Sequence, residues 1–440
     1  MRNFIEIDLV NKMKAYYIHM PNTHSVVISI YVRAGLAYED PKHFGVSHLI
    51  EHLLFRRLDD LEQRQLYYEL ECLGTTLRAT TYADFIRFYA EVHPHFADKA
   101  FQIIEKIFHG GNWTFDDIGK EKKVVLNQIN SKSLSFLDRS NLEYWAHSPF
   151  GNEIMGTVSK IDRISIATIL RYYEKFFRPQ NSAIVISGNF HEGFEQLTQN
   201  TLCKLETKNG PGLPVLPIFP QNFGERSIKD DIIFETDGEY ADVRICFEAK
   251  HQMISKESVQ FLHSILGDGD GSRLSLLLRE DLGIVDEIYT DFELHNEFSI
   301  LSIQYDVTCD MLLESLELVY SVIFDMIHKI SDKDINTSVH FFTSNSEFDL
   351  DSPETLNFYY GWRSFIMGEP ITQPEERFAL FNRQSADELK KTALSLFTSA
   401  NMSTFVYCNQ NLVKHNKIAR QLKKARSLLG STCISLAKSE

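Results

Sequence analysis

Long apolar runs are missing from this chain. No stretch of about 18 apolar residues occurs in it, so no membrane-spanning helix is expected. Cysteine is sparse and scattered, at Cys72, Cys203, Cys246, Cys309, Cys408 and Cys433, with no Cys-x-x-Cys pair. That pattern excludes a disulfide framework and a thiolate metal cluster, and reads as buried free thiols. Positive charge is in deficit: 45 Lys and Arg stand against 60 Asp and Glu, a net charge of −15. Such a balance argues against a nucleic-acid partner and favours a basic substrate. The N-terminal Met1-Arg2-Asn3-Phe4-Ile5-Glu6-Ile7-Asp8 carries acids where a secretory leader needs an apolar core, so a cytoplasmic location is expected.

What is present is a globular composition, 43% hydrophobic and 24% charged, in 440 residues, enough for more than one domain with its own core. The chain is organised around Gly45-Val46-Ser47-His48-Leu49-Ile50-Glu51-His52-Leu53-Leu54-Phe55. Val46, Leu49, Ile50, Leu53 and Leu54 recur at helical spacing with no Gly or Pro after His48, which predicts a buried helix. Positions four apart share a helix face. His48 and His52 can therefore offer two imidazoles to one metal ion, with Glu51 bordering that face. Two neutral imidazoles suit Zn²⁺, and a nearby carboxylate can take a proton from water. His-x-x-Glu-His is the inverted form of a zinc-peptidase signature.

Along the chain, Ser25 to Arg33 reads as a strand, Leu61 to Leu73 as a helix closed by Gly74, and Thr76 to Thr81 with Phe85 to Val92 as two strands. Thr114 with Asp116 and Asp117 opens a helix expected to run to about Phe136. Pro211, Pro214, Pro217 and Pro220 fall in one window with Gly210 and Gly212, which marks residues 208–224 as a linker between domains 1–207 and 225–440. After it the same order of strands and helices returns: strands from Asp231 and Asp242, helices from Glu257 and Ser272, then strands from Val285 and Ser299. The repeat predicts an α+β protein of two duplicated domains, each a mostly antiparallel sheet packed with helices. The basic stretch Lys414 to Arg426 reads as a solvated terminal helix.

Four stretches carry a family resemblance: Gly45 to Phe55; Gly74 to Tyr89; Lys120 to Leu126 with His147 to Gly151 and Met155 to Thr157; and Gly271 to Leu274 through Arg279 to Gly283. In these the chain resembles the M16 (pitrilysin, insulinase, mitochondrial processing peptidase) zinc peptidases over nearly its whole length. The resemblance implies an M16/LuxS-like metallohydrolase fold and a half-size subunit that pairs, as a homodimer or a heterodimer with a second M16-like subunit, into a clamshell. It implies one Zn²⁺ per chain on His48 and His52, Glu51 as general base, and support from Glu121. Seven residues after Glu121, where the family places a third ligand Glu, stands Gln128. A neutral amide oxygen lacks the charge of a carboxylate, and Glu143 is a distant substitute. The peptide substrate is implied to lie against Arg78, Ala79 and Thr80, although the family often has Asn at the Arg78 position. The family's Arg/Tyr pair is half present: Arg279 fits, Asp286 stands seven residues on, and Tyr289, three further, would face away from position 286 on a strand. Two readings follow. One is a zinc metalloendopeptidase subunit cleaving short or extended peptides, such as a bacterial modified or leader peptide. The other is a non-catalytic subunit that binds peptide or completes the chamber of an active partner.

Overall fold

The computed structural model describes residues 3–146, 148–206 and 230–436. Residues 208–224, read as a linker, lie outside the described residues, as does His147. The chain forms two compact units that are not simply its two halves: one comprises Met1–Ser133, Trp145–Arg226 and Phe348–Ile371, the other Leu134–Tyr144, Ser227–Glu347 and Thr372–Glu440.

The first unit holds strands β1 (Asn3–Asp8), β2 (Lys14–His19) and β3 (Val26–Val32), helix α1 (Val46–Arg56), a two-stranded ribbon of β4 (Arg57–Leu58) and β5 (Leu61–Glu62), helix α2 (Gln63–Cys72), strands β6 (Arg78–Thr81) and β7 (Ile86–Val92), helices α3 (Ala97–Ile104) and α4 (Phe115–Ser131), and strand β8 (Ser182–Gly188). Its six-stranded sheet runs β1-β2-β8-β3-β7-β6, antiparallel except between β2 and β8. Every residue of β3 is buried. Val26, Ile28, Ile30 and Val32 face the core under α3. On the other face, Tyr31 meets the helix Pro353–Tyr360, drawn from late in the chain. Asn357 of that helix, itself fully buried, donates to the Val27 and Val185 carbonyls at 3.2 and 2.9 Å. A strand covered on both faces needs the continuous apolar run that VVISIYV supplies.

In the second unit β9 (Asp231–Glu235), β10 (Tyr240–Lys250), β11 (Ile288–Leu294), β12 (Phe298–Thr308) and β13 (Met402–Cys408) form a sheet in the order β11-β12-β10-β13-β9, with only β13 and β9 parallel. Its connectivity repeats that of β6-β7-β3-β8-β2, which establishes the duplication in physical terms; β1 is an addition to the first unit. The sheet's outer face is again covered by a helix from the opposite half of the chain, α5 (Phe136–Tyr144). Arg244 of β10, almost fully buried, donates to Asn141 Oδ1 (2.5 Å) and Ser140 Oγ (3.2 Å) of that helix.

Two expectations change. The helix expected from Thr114 to about Phe136 is broken: α4 ends at Ser131, and Ser135 and Asp138 bond reciprocally to start α5. A capping box satisfies free amides at a helix start, so it favours a new helix over continuation. The terminal helix His415–Leu436 is not simply solvated, because Ile418, Leu422 and Leu429 are buried in the second core. Among the cysteines, Cys246, Cys309 and Cys408 are buried free thiols, whereas Cys72 is exposed. No helix among the described residues is long and apolar enough to cross a membrane.

Replacing Asn357 by Ala removes both side-chain donations to these buried strand carbonyls. Each such loss costs about 1–3 kcal/mol, so Asn357→Ala is expected to lower unfolding free energy by about 2–4 kcal/mol, measured by urea denaturation.

Candidate metal centre

Helix α1 starts at Gly45, whose φ of 100° favours glycine. A Cβ there would lie 2.6 Å from the Met155 carbonyl oxygen. Gly45 supplies no capping side chain, and Glu39 does so from outside the helix. Its Oε2 accepts from Gly45 N (2.6 Å) and its Oε1 from Ser47 N (2.8 Å) and Ser47 Oγ. Burial pushes the Glu39 carboxyl above its usual range, against the bonds from Ser47 and Gly45. Val46, Leu49, Ile50, Leu53 and Leu54 anchor one face of α1 in the core. His48, Glu51, His52 and Arg56 are left on the opposite, partly open side.

Helix α4 faces them with Glu121 and Gln128. Seven residues span almost two helical turns, so both point the same way. His52 Nδ1 meets Glu121 Oε2 at 3.1 Å, and His48 Nε2 meets Gln128 Oε1 at 3.3 Å. The two imidazole rings are 4.7 Å apart and tilted by 73°. Glu51 Oε2 lies 3.9 Å from His48 Nδ1 and accepts from Thr81 Oγ1 of β6 at 2.5 Å. Arg56 Nε donates to Glu121 Oε1 at 2.6 Å. Burial of Glu121 would raise its pKa, but the bonds from His52 and Arg56 outweigh it and hold the carboxyl below its usual value. Burial, together with the neighbouring His52, lowers the His48 pKa despite Glu51 and Gln128, which keeps that imidazole neutral.

These contacts bear directly on metal binding. A neutral imidazole with its lone pair free is the form that ligates. Glu121 occupies the Nδ1 side of His52 and leaves Nε2 available, the arrangement in which a carboxylate orients a ligating histidine. His48 Nε2 and Gln128 Oε1 already face each other. Two imidazole nitrogens and one neutral oxygen fit a divalent ion such as Zn²⁺, one negative charge short of a His₂–carboxylate set. Among the described residues, no group of three or more His, Cys, Asp and Glu side chains converges, because Gln128 stands at the third position.

The substrate-side residues divide between the units. Arg78, Ala79 and Thr80 lie on β6, the edge strand of the first sheet, next to Thr81 and hence to Glu51. Arg78 is exposed, with its guanidinium 5.9 Å from the Tyr89 ring centre. Arg279 and Tyr289 belong to the second unit. Arg279 sits on a π-helical turn, Ser275–Asp281, where it pairs with Asp270 at 3.4 Å. Tyr289 lies on β11, an edge strand, and reaches Gln304 Oε1 at 3.5 Å. The strand alternation expected to turn Tyr289 away from position 286 does not apply, because β11 begins at Ile288 and Asp286 lies in a bend before it. Strand alternation does not extend to a residue outside the strand. Glu143 is on α5, which belongs to the second unit rather than to the one carrying His48 and His52. Arg56, Gln63, Thr81 and Glu39 were not singled out from sequence. The four-residue spacing from His52 could have flagged Arg56, whereas Thr81 and Glu39 reach the site only through tertiary contacts.

Residues 14–158 match the sequence family described as Insulinase (Peptidase family M16), and residues 163–340 match Peptidase M16 inactive domain. A Rickettsia felis protein named as an uncharacterized zinc protease is 23% identical over 417 residues, covering 92% of this chain and 97% of its own. The beta subunit of the mitochondrial-processing peptidase of Saccharomyces cerevisiae is 25% identical over 225 residues, covering 49% of this chain and 48% of its own. The crystal structure of a protease from Helicobacter pylori superposes with a TM-score of 0.80 at 14% identity, covering 92% of this chain and all of that one.

Glu39→Gln tests the cap of α1. An amide has one acceptor oxygen where the carboxylate uses two, so an NH₂ group would confront a buried N–H. A loss of about 1–3 kcal/mol in unfolding free energy is expected, read from denaturant midpoints.

The His-x-x-Glu-His helix, the helix of Glu121 and Gln128 facing it and two family matches that together span most of the chain lead to one conclusion: the protein belongs to the M16 peptidase family.

Proposed function

We propose that this chain is a zinc metalloendopeptidase subunit that cleaves extended peptides. The observation that carries the reading is the meeting of α1 and α4, where His48, His52 and Gln128 converge with Glu51 and Glu121 at their margin. His48, His52 and Gln128 would hold one Zn²⁺ per chain. When bound, the ion would polarise the scissile carbonyl and make water more acidic. Glu51 takes the proton of the attacking water and passes it to the leaving amine. Thr81 holds Oε2 of that carboxylate, which leaves Oε1 to receive the proton. Glu121 keeps His52 oriented. The peptide adds as a strand to the free edge of β6 along Arg78, Ala79 and Thr80, so backbone pairing binds it with little demand on sequence. Arg279 and Tyr289, on the second unit, are the further substrate-binding candidates of this reading. A yeast relative is itself named as a subunit, which supports pairing with a like or a second M16-like chain. The reading extends to a cytoplasmic setting and to a leader or modified peptide as substrate.

A second reading has its own observation. Gln128 brings no charge to the third ligand position, as expected of a non-catalytic subunit that binds peptide beside an active partner.

Elemental analysis of the purified protein separates the two readings. About one zinc per chain, lost in His48→Ala, is the expected result. Glu51→Gln is then expected to keep the zinc and lower peptidase kcat by at least about 100-fold. Absence of zinc from the wild type, with zinc present in Gln128→Glu, would overturn the catalytic reading and leave the non-catalytic one.

A further inference from the structure

Arg56 closes α1, four residues after His52, and takes no part in the roles above. Four residues return to the same helix face, so Arg56 stands one turn beyond His52, toward α4. Its Nε and Nη2 both meet a single oxygen of Glu121, Oε1, at 2.6 and 2.5 Å. Its Nη1 donates to Gln63 Oε1 at the start of α2, at 2.8 Å. The second oxygen of Glu121, Oε2, is the one that meets His52 Nδ1. The two ends of one carboxylate are thus assigned to different partners. A carboxylate paired with a guanidinium has only acceptors to offer. His52 Nδ1 must then carry the proton, and the lone pair falls on Nε2. His48 has no such arrangement, because its Nδ1 is 3.9 Å from Glu51, beyond hydrogen-bond reach.

We propose that Arg56, braced by Gln63, is a positioning residue that selects the Nδ1–H tautomer of His52 through Glu121 and so presets Nε2 toward a metal ion. The inference rests on the reading of His52 as a metal ligand. It goes beyond that reading by assigning the preset to the fork of Arg56 rather than to Glu121 alone. Without the fork, Glu121 can rotate and present either oxygen or neither. With it, one oxygen is occupied and the other is aimed. A guanidinium can divide its donors between Glu121 and Gln63, whereas an ammonium is a point charge without a fixed fork.

The test uses the full chain labelled with ¹⁵N-histidine. Zinc-free Arg56→Met, Arg56→Lys and Gln63→Ala are compared with wild type by long-range ¹H–¹⁵N spectra, with the His52 signals assigned against His52→Asn. Zinc affinity is measured separately by chelator competition, and folding by denaturant midpoint. Wild type is expected to show the Nδ1–H form of His52. Arg56→Met is expected to shift it toward a mixture of tautomers and to weaken zinc binding by about 10–100-fold. Arg56→Lys and Gln63→Ala are expected to fall between. A folded Arg56→Met that keeps the wild-type tautomer overturns the proposal. If Arg56→Met does not fold, an unchanged tautomer in both Arg56→Lys and Gln63→Ala overturns it instead. Failure of the wild type to bind zinc would count against the proposed function alone, because the tautomer is read in zinc-free protein.

Discussion

The Glu121 carboxylate ties the site together. It is almost fully buried, and it sits on α4 while both of its partners, His52 and Arg56, sit on α1. A buried carboxylate is costly unless paired and hydrogen-bonded. These two contacts satisfy that requirement and at the same time set the spacing of the two helices. With α1 held by its apolar face on one side and by Glu121 on the other, His48 has little choice but to face Gln128. The chemistry of the site is therefore a consequence of how a buried charge is accommodated.

Charge is also where this centre departs from its family's pattern. Glu121 is neutralised by Arg56, and Gln128 is neutral by nature. Glu51 is then the carboxylate left to balance a divalent ion, and it is engaged by Thr81 at one oxygen. A centre built this way would hold the proposed ion through geometry more than through charge.

The duplication explains why the second unit looks familiar without repeating the site. Both sheets share one connectivity and end in corresponding edge strands, β6 and β11. In each unit the outer face of the sheet is covered by a helix from the opposite half of the chain, and a buried polar side chain makes the join, Asn357 in one and Arg244 in the other. Apolar packing alone would tolerate sliding of such a helix. Directional hydrogen bonds to strand carbonyls or helix side chains pin it. Among the described residues, only the first unit places two histidines four apart on one helix.

Local patterns were enough to read the α+β class, the duplication, the helix of His48 and His52, and the strand Thr76 to Thr81. Those features depend on neighbours within a few residues, where periodicity and capping are written directly in the chain. The seven-residue step from Glu121 to Gln128 was legible through the family resemblance, with helical periodicity placing both on one face. The break at Ser131 and the start of β11 at Ile288 were not expected, although the Ser135 and Asp138 capping box behind the break is itself a local signal. Glu39, Thr81, the fork of Arg56 and the exchange of α5 and the helix Pro353–Tyr360 were settled only in three dimensions. Thr81, Arg56 and the exchanged helices join residues far apart in the chain, Glu39 reaches across a loop to Gly45 and Ser47, and neither kind of hydrogen bond leaves a periodic trace in the order of amino acids.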